Sequence, residues 1–462
     1  MAFYEKIVTI FRKRPPSQSD SGTINTNMPK KPARRSLAAN LGIDFGTCFS
    51  KVCFSVGKDS NFVKFPVDEY KESVLFYDYE SKILFYSRPD KNDNIGVIRY
   101  FKYSVFFDDL PKSSFLNALD YDIKPEVLCC IFFLACLIRE SREYVDKHFS
   151  KTIVDVKVED ITLGVPIDNY EDNNRNIYDK ILHLACKLSN TLSSNFISVN
   201  TLYEFFNENK NIEIPKFGGS RINTLPELYA ESLVLLKNEN TPNGVYAIVD
   251  IGGGTVDMAI IFKGSENNHY MISKIIKPLG IETVANHITA TGIHMEKVKR
   301  NLMKNKFPDL SFINMEKRDE IHEKLRGAFA SIVIDAKNNY REAIKETSNG
   351  FINVLLCGGG AFYKWYEVGI INNNETMLKN QLSDGGLKLK KENTDKLLSG
   401  IDIKSHRLII AYVLSQPEGK YISQLNGFPW QFGEENKLSE HTDSHDRFYE
   451  GVERQKDIFG ED

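Results

Sequence analysis

The strongest constraint in the chain is a pattern that occurs twice: an apolar strand ending in aspartate, a turn of glycine and threonine, and a second apolar strand. The fuller copy is Tyr246-Ala-Ile-Val-Asp250-Ile-Gly252-Gly253-Gly254-Thr255-Val-Asp257-Met-Ala-Ile-Ile261. Its β-branched flanks suit a buried sheet, and its three glycines let backbone N–H groups approach an anion without interference from Cβ atoms. A turn of this kind is an anion nest. Asp250 and Asp257 put carboxylates beside that nest, which suits phosphate only if a divalent cation sits between them. For this stretch alone, a plain hairpin with a glycine-rich turn fits nearly as well.

The second copy, Leu41-Gly42-Ile-Asp44-Phe-Gly46-Thr47-Cys48-Phe-Ser50, changes the weighing. A third glycine cluster, Gly358-Gly359-Gly360 after the apolar run 352–357, lacks a carboxylate, as a site for an uncharged nucleoside would. In this order the three stretches resemble the phosphate-one, phosphate-two and adenosine motifs of the actin, sugar-kinase and seventy-kilodalton heat-shock ATPase superfamily. Within it, residues 41 to 416 look most like the heat-shock branch. Ile161-Thr-Leu-Gly-Val165-Pro166 resembles its strand ending in Val-Pro, and Leu225-Pro-Glu227-Leu-Tyr-Ala-Glu-Ser232 its glutamate-bearing helix between lobes. Met295-Glu296-Lys-Val-Lys299-Arg300 resembles its adenosine helix, and 406–414 its closing helix.

The resemblance implies an α/β protein of two ribonuclease-H-like lobes around a nucleotide cleft. Lobe I would span 41–240 and lobe II 241–400, with 401–416 returning to lobe I as a closing helix. It implies ATP or ADP as ligand, with magnesium held, through water, by Asp44 and Asp250. Gly46, Thr47, Cys48, Gly252, Gly253, Gly254 and Thr255 would surround the phosphates, while Glu296, Lys299, Arg300, Gly358, Gly359 and Gly360 would hold adenosine. Lys102 is the best match to a lysine that reaches the γ-phosphate, with Arg99 as competitor. Glu227 would bind a magnesium water or the attacking water. The chain departs from the family at Leu228, where a proline usually follows the glutamate, and at Cys48 and Gly360, often Thr and Ser. The implied function is a slowly hydrolysing, heat-shock-chaperone-like switch whose lobe closure controls partner binding. An actin-like filament former, a pseudo-ATPase scaffold and a small-molecule kinase are the alternatives.

Composition narrows what else the chain does. A length of 462 residues at 42% hydrophobic content allows a large core and two or three domains. The formal charge of -3 conceals a basic N-terminus: residues 1 to 40 carry eight Lys or Arg against two acids. The remainder is therefore acidic, so no nucleic-acid partner is expected. Seven cysteines without a Cys-x-x-Cys pair read as reduced core residues of a cytoplasmic protein. The longest apolar run, 127–138, falls short of the ~18 residues of a membrane span.

Both ends lie outside the family pattern. Residues 1–14 read as a basic amphipathic helix and 15–39 as a flexible linker, together a 1–40 segment. Four cations at about 1 kcal/mol each give only weak, millimolar attraction to a membrane surface. Docking on a protein partner or on the chain's own body is the stronger expectation. Residues 417–462 form an acidic tail carrying the aromatic cluster Phe428, Trp430 and Phe432, a second candidate docking segment. The tail is too short for a peptide-binding domain.

Overall fold

In the computed structural model the described residues are 35–66, 69–89, 94–105, 123–152, 154–166, 175–211, 221–237, 241–264, 269–289, 295–306, 314–347, 351–372, 388–392 and 406–416. The proposed helix 1–14 and the aromatic tail cluster at 428–432 lie outside them. The protein is mixed α/β, with three sheets among the described residues.

Chain order begins with a run of strands: β1 (Arg35–Phe45), β2 (Phe49–Val56), β3 (Asp59–Phe62), β4 (Lys71–Glu72), β5 (Leu75–Asp78), β6 (Ile83–Phe85) and β7 (Ile95–Ile98). Then come α1 (Phe101–Ser104), α2 (Pro125–Phe149), β8 (Val154–Val165), α3 (Arg175–Thr191), β9 (Phe196–Ser198), α4 (Val199–Asn209), β10 (Ile222–Pro226) and α5 (Glu227–Lys237). The second half runs β11 (Gly244–Ile251), β12 (Val256–Lys263), β13 (His269–Lys277), α6 (Ile281–Ile288), α7 (Met295–Lys304), α8 (Met315–Thr347), β14 (Phe351–Cys357), α9 (Lys364–Glu367), β15 (Lys388–Lys391) and α10 (Ile409–Leu414).

The first sheet has the order β10-β8-β1-β2-β3, with β4 on β2, and the second β13-β12-β11-β14-β15. In each, an antiparallel meander of three strands is continued past its first strand by two parallel ones. Each sheet therefore reads 3-2-1-4-5 in its own strand order. The hairpins β1–β2 and β11–β12 occupy corresponding places. The third sheet, β7-β5-β6-β9, carries no part of either motif.

Alternation along β1 and β11 decides which way the aspartates face, because successive strand residues point to opposite sides. Ala39, Leu41, Ile43 and Phe45 enter one core with α2 and α3, which leaves Asn40, Gly42 and Asp44 on the other side. Val245, Ala247, Val249 and Ile251 enter a second core with α6 and α8, which leaves Tyr246, Ile248 and Asp250 opposite. Tyr246 and Ile248 share a third core with Leu228, Tyr229 and Leu233 of α5 and Ile409, Ile410, Val413 and Leu414 of α10. These two helices are thus the layer between the sheets, and both aspartates are directed into it. Gly42 is needed there, since a Cβ would lie 2.6 Å from the Leu414 carbonyl carbon.

Two expectations need correction. Residues 35–39 do not belong to a linker: they open β1 and pair in parallel with β8 from Arg35↔Val154 onward. Leu225 and Pro226 do not open the glutamate helix but end strand β10, and Glu227 is the first residue of α5. Pro226 is tolerated because β10 is an edge strand, where a missing N–H leaves no ladder bond unmade. The apolar run 127–138 lies in the first half of α2 and is buried from Leu128 onward. Among the described residues no helix is long and apolar enough to cross a membrane.

Candidate functional site

Each hairpin turn has its carbonyls anchored from behind. In the second turn, Gly252, Gly253 and Gly254 accept hydrogen bonds from the amides of Ile281 (3.1 Å), Glu282 (2.8 Å) and Gly280 (3.0 Å), at the start of α6. In a trans peptide the C=O and the following N–H point in opposite directions. The N–H groups of Gly253, Gly254 and Thr255 are consequently turned away from α6. In the first turn Ser73 does the same job, donating its Oγ to the Gly46 carbonyl (2.8 Å) and its N–H to that of Cys48 (2.8 Å).

The turns then meet face to face. A Cβ on Gly253 would collide with Cys48 Sγ; one on Gly254 would collide with the Tyr103 ring and approach Thr47 Oγ1 to 3.1 Å. The glycines are what allow this approach. Between the turns lies a cavity of about 100 Å³ lined, among others, by Asp44, Lys51, Lys102, Glu227, Glu231 and Asp250. That volume holds roughly three waters. It is well below the ~300 Å³ of a small-molecule pocket, so a larger ligand requires the turns to part.

Charge dominates the cavity. Lys51 Nζ lies 2.6 Å from Asp44 Oδ2, and Lys102 Nζ 2.7 Å from Glu227 Oε1. Burial disfavours the Lys51 ammonium, but Asp44 outweighs it and the pKa is raised overall. Burial, reinforced by the charges of Glu227 and Asp44, pushes Asp250 up to about 7. Glu227 is raised by burial against the pull of Lys102, and Glu231 is raised well above the usual range by burial and then by Asp250. Asp257, directly across the ladder from Asp250, is raised for the same two reasons. Burial, then Glu282, pushes the Cys48 thiol to about 12, which leaves no nucleophilic thiolate at neutral pH.

This donor set fits a hard divalent cation held through water. All the carboxylates offer oxygen, they oppose one another's ionisation, and a cation among them relieves that repulsion. Asp44 and Asp250 are the residues that would hold it. Among the described residues no three His, Cys, Asp or Glu side chains form a ready-made metal cage.

The structure brings together most of the residues expected from sequence. Asp44, Gly46, Thr47, Cys48, Lys102, Glu227, Asp250, Gly252, Gly253, Thr255, Gly358 and Gly359 all line the cavity, and Gly254 packs on its wall. Gly358 has φ +74°, and a Cβ there would collide with Asp250 Oδ1. Gly360 is turned away onto Ile251, whose carbonyl its N–H meets at 2.8 Å. Glu296, Lys299 and Arg300 are not among the residues lining the cavity. Val298 and Leu302 fix the inner face of α7, and Lys299 instead pairs with Glu282 (2.5 Å) and Glu296 (2.9 Å). Arg99 pairs with the exposed Glu72 at 2.7 Å, which removes it as the rival of Lys102.

Three charged lining residues were missed by the sequence reading. Lys51 was readable, because a hairpin closed by the pair Phe45↔Ser50 makes it the ladder partner of Asp44. Glu231 was also readable, since it lies one helical turn beyond Glu227 on the same face. Arg407, whose guanidinium lies 4.6 Å from the Tyr70 ring centroid, comes from a distant part of the chain and carried no local signal. No family model matches the chain, and no curated protein matches it.

Proposed function

We propose that the chain is an ATP-binding, slowly ATP-hydrolysing switch of the actin, sugar-kinase and heat-shock ATPase superfamily, with two ribonuclease-H-like lobes closing on the cleft described above. The observation that carries this reading is the convergence of two aspartate-tipped glycine turns, 206 residues apart in sequence, on one cavity. The matching strand orders of the two large sheets support the lobe assignment.

In this reading the outward N–H groups of the two turns and the Thr47 and Thr255 hydroxyls receive the β- and γ-phosphates. Magnesium, when bound, neutralises charge that develops on the transferred phosphoryl group. Lys51 and Lys102 add positive charge on the first-lobe side. Phosphoryl transfer depends chiefly on positioning and charge neutralisation, which these residues supply. Because both lobes contact the phosphates, loss of the γ-phosphate removes contacts that favour closure, which couples hydrolysis to lobe angle. The output is binding of a protein partner through residues 1–14 or 428–432.

The Lys102–Glu227 ion pair favours a second reading, a scaffold that binds nucleotide without turnover, because it occupies one oxygen of the expected water-holding acid. The test is calorimetry with ATP and magnesium, followed by single-turnover hydrolysis. Asp44→Ala and Asp250→Ala should each abolish magnesium-dependent binding; unchanged affinity in both would reject the site. Binding without turnover would select the scaffold.

A further inference from the structure

Among the described residues, Glu231 is the one cavity-lining acid with a buried oxygen that has no hydrogen-bond partner. The residue is 1% exposed, and its Oε2 is buried without a hydrogen bond. Leaving a buried polar oxygen unmatched is costly unless a ligand or water completes it. Asp44 and Glu227, by contrast, each hold a lysine. Nor does the fold need an acid at 231: its neighbours Leu228, Tyr229 and Leu233 make the apolar contacts of α5. A methionine or leucine would serve packing better.

We propose that Glu231, rather than Glu227, holds the water that attacks the γ-phosphate. The inference rests on the ATP reading above. Glu227 is committed to Lys102 and thereby positions that cation, while Glu231, one turn further along the same face of α5, lines the cavity with a buried oxygen that no protein group has taken. Its carboxyl accepts one hydrogen bond from the water, fixing the direction of the lone pair. The water oxygen forms a bond to the γ-phosphorus as the bond from that phosphorus to the β–γ bridging oxygen breaks. The electron pair stays on the departing ADP, and the water's proton passes to a phosphoryl oxygen, giving ADP and inorganic phosphate.

The test uses full-length protein, wild type, Glu231→Met and Glu231→Gln, with ATP affinity, single-turnover hydrolysis and thermal stability measured on each. Glu231→Met should keep the ATP dissociation constant within about twofold, raise the melting temperature, and slow hydrolysis at least tenfold. Glu231→Gln retains an acceptor oxygen and should recover a substantial part of the rate. Hydrolysis by Glu231→Met within twofold of wild type overturns the proposal, as does loss of ATP binding in that variant, which would make the residue a binding determinant. Wild type that binds ATP but never turns it over also overturns it while leaving nucleotide binding intact. Wild type that binds no ATP removes the underlying reading itself.

Discussion

Tyr100 Oη donates a 3.0 Å hydrogen bond to Glu282 Oε2, joining the segment before α1 to the first turn of α6. The partners belong to opposite sides of the cavity, and Glu282 also holds Lys299 at 2.5 Å. Tyr100 makes this bond from a left-handed backbone conformation, φ 60° and ψ 15°, which is uncommon for a residue with a side chain. Such conformations persist where surrounding structure compensates for them. Tyr100→Phe removes the bond and keeps the ring. It should cost about 1 kcal/mol in denaturant unfolding and speed amide exchange at residues 252–255, behind which α6 sits. Unaltered exchange there would show that the bond does not hold the cavity shut.

The acids in the cavity predict an unusual pH dependence for the metal-free protein. Asp250 titrates near 4 in an unfolded chain and at about 7 when folded, chiefly through burial and then the charge of Glu227. Between those values the native state holds a proton that the unfolded state has released. Stability from this group is therefore present in full below about pH 4 and is lost as pH rises toward 7. Asp250→Asn should flatten that limb and stabilise the metal-free protein at pH 7 to 8, by about 0.5–2 kcal/mol, while abolishing magnesium-dependent nucleotide binding. Melting curves across pH 5 to 8 for both proteins test this; parallel curves would contradict it.

Lys51 should be the cation whose removal magnesium best compensates. Asp44 is almost fully buried and depends on the 2.6 Å contact with Lys51 Nζ. Taking away one member of a buried pair typically costs about 3–5 kcal/mol, because the other charge is left uncompensated. Lys51→Met should lower the melting temperature in chelator and recover part of the loss when magnesium is added. A loss of stability insensitive to magnesium would mean that Asp44 is not accessible to the ion.

The sequence spoke most clearly where a local pattern and the tertiary structure agreed. The run beginning at Pro125 starts a helix because proline at the first helical position gives up no needed N–H, and the observed helix runs Pro125–Phe149. The amphipathic stretch at 295 likewise forms Met295–Lys304. Arg35 to Asn40 misled because Ser36, Leu37 and Ala38 are exposed; they are strand by virtue of the ladder with β8, a partner more than 100 residues away. Phe196–Ser198 is a strand for the same reason, through β6. In the site, the glycine turns were legible because close approach of two backbones leaves a compositional trace. Lys299 was not, because nothing in a helix pattern shows that Glu282, fixed by the hydrogen bonds between the second turn and α6, will capture it.

The facing of the two turns is itself open to measurement. Gly253 and Cys48 are in such close apposition that a methyl group on Gly253 overlaps Cys48 Sγ, although the backbone at Gly253 does not require φ > 0. Gly253→Ala alone should therefore destabilise the protein by about 1–3 kcal/mol through overpacking. Cys48→Ala alone removes only a half-buried sulfur and should cost about 1 kcal/mol or less. With the sulfur gone, the added methyl has room, its next neighbour being Cys48 Cβ at 3.4 Å. The double variant should be more stable than the sum of the single changes by about 1 kcal/mol or more. Residues that do not touch add within about 0.3–0.5 kcal/mol. Additive behaviour would place the turns apart in solution and remove the cavity on which the nucleotide reading depends.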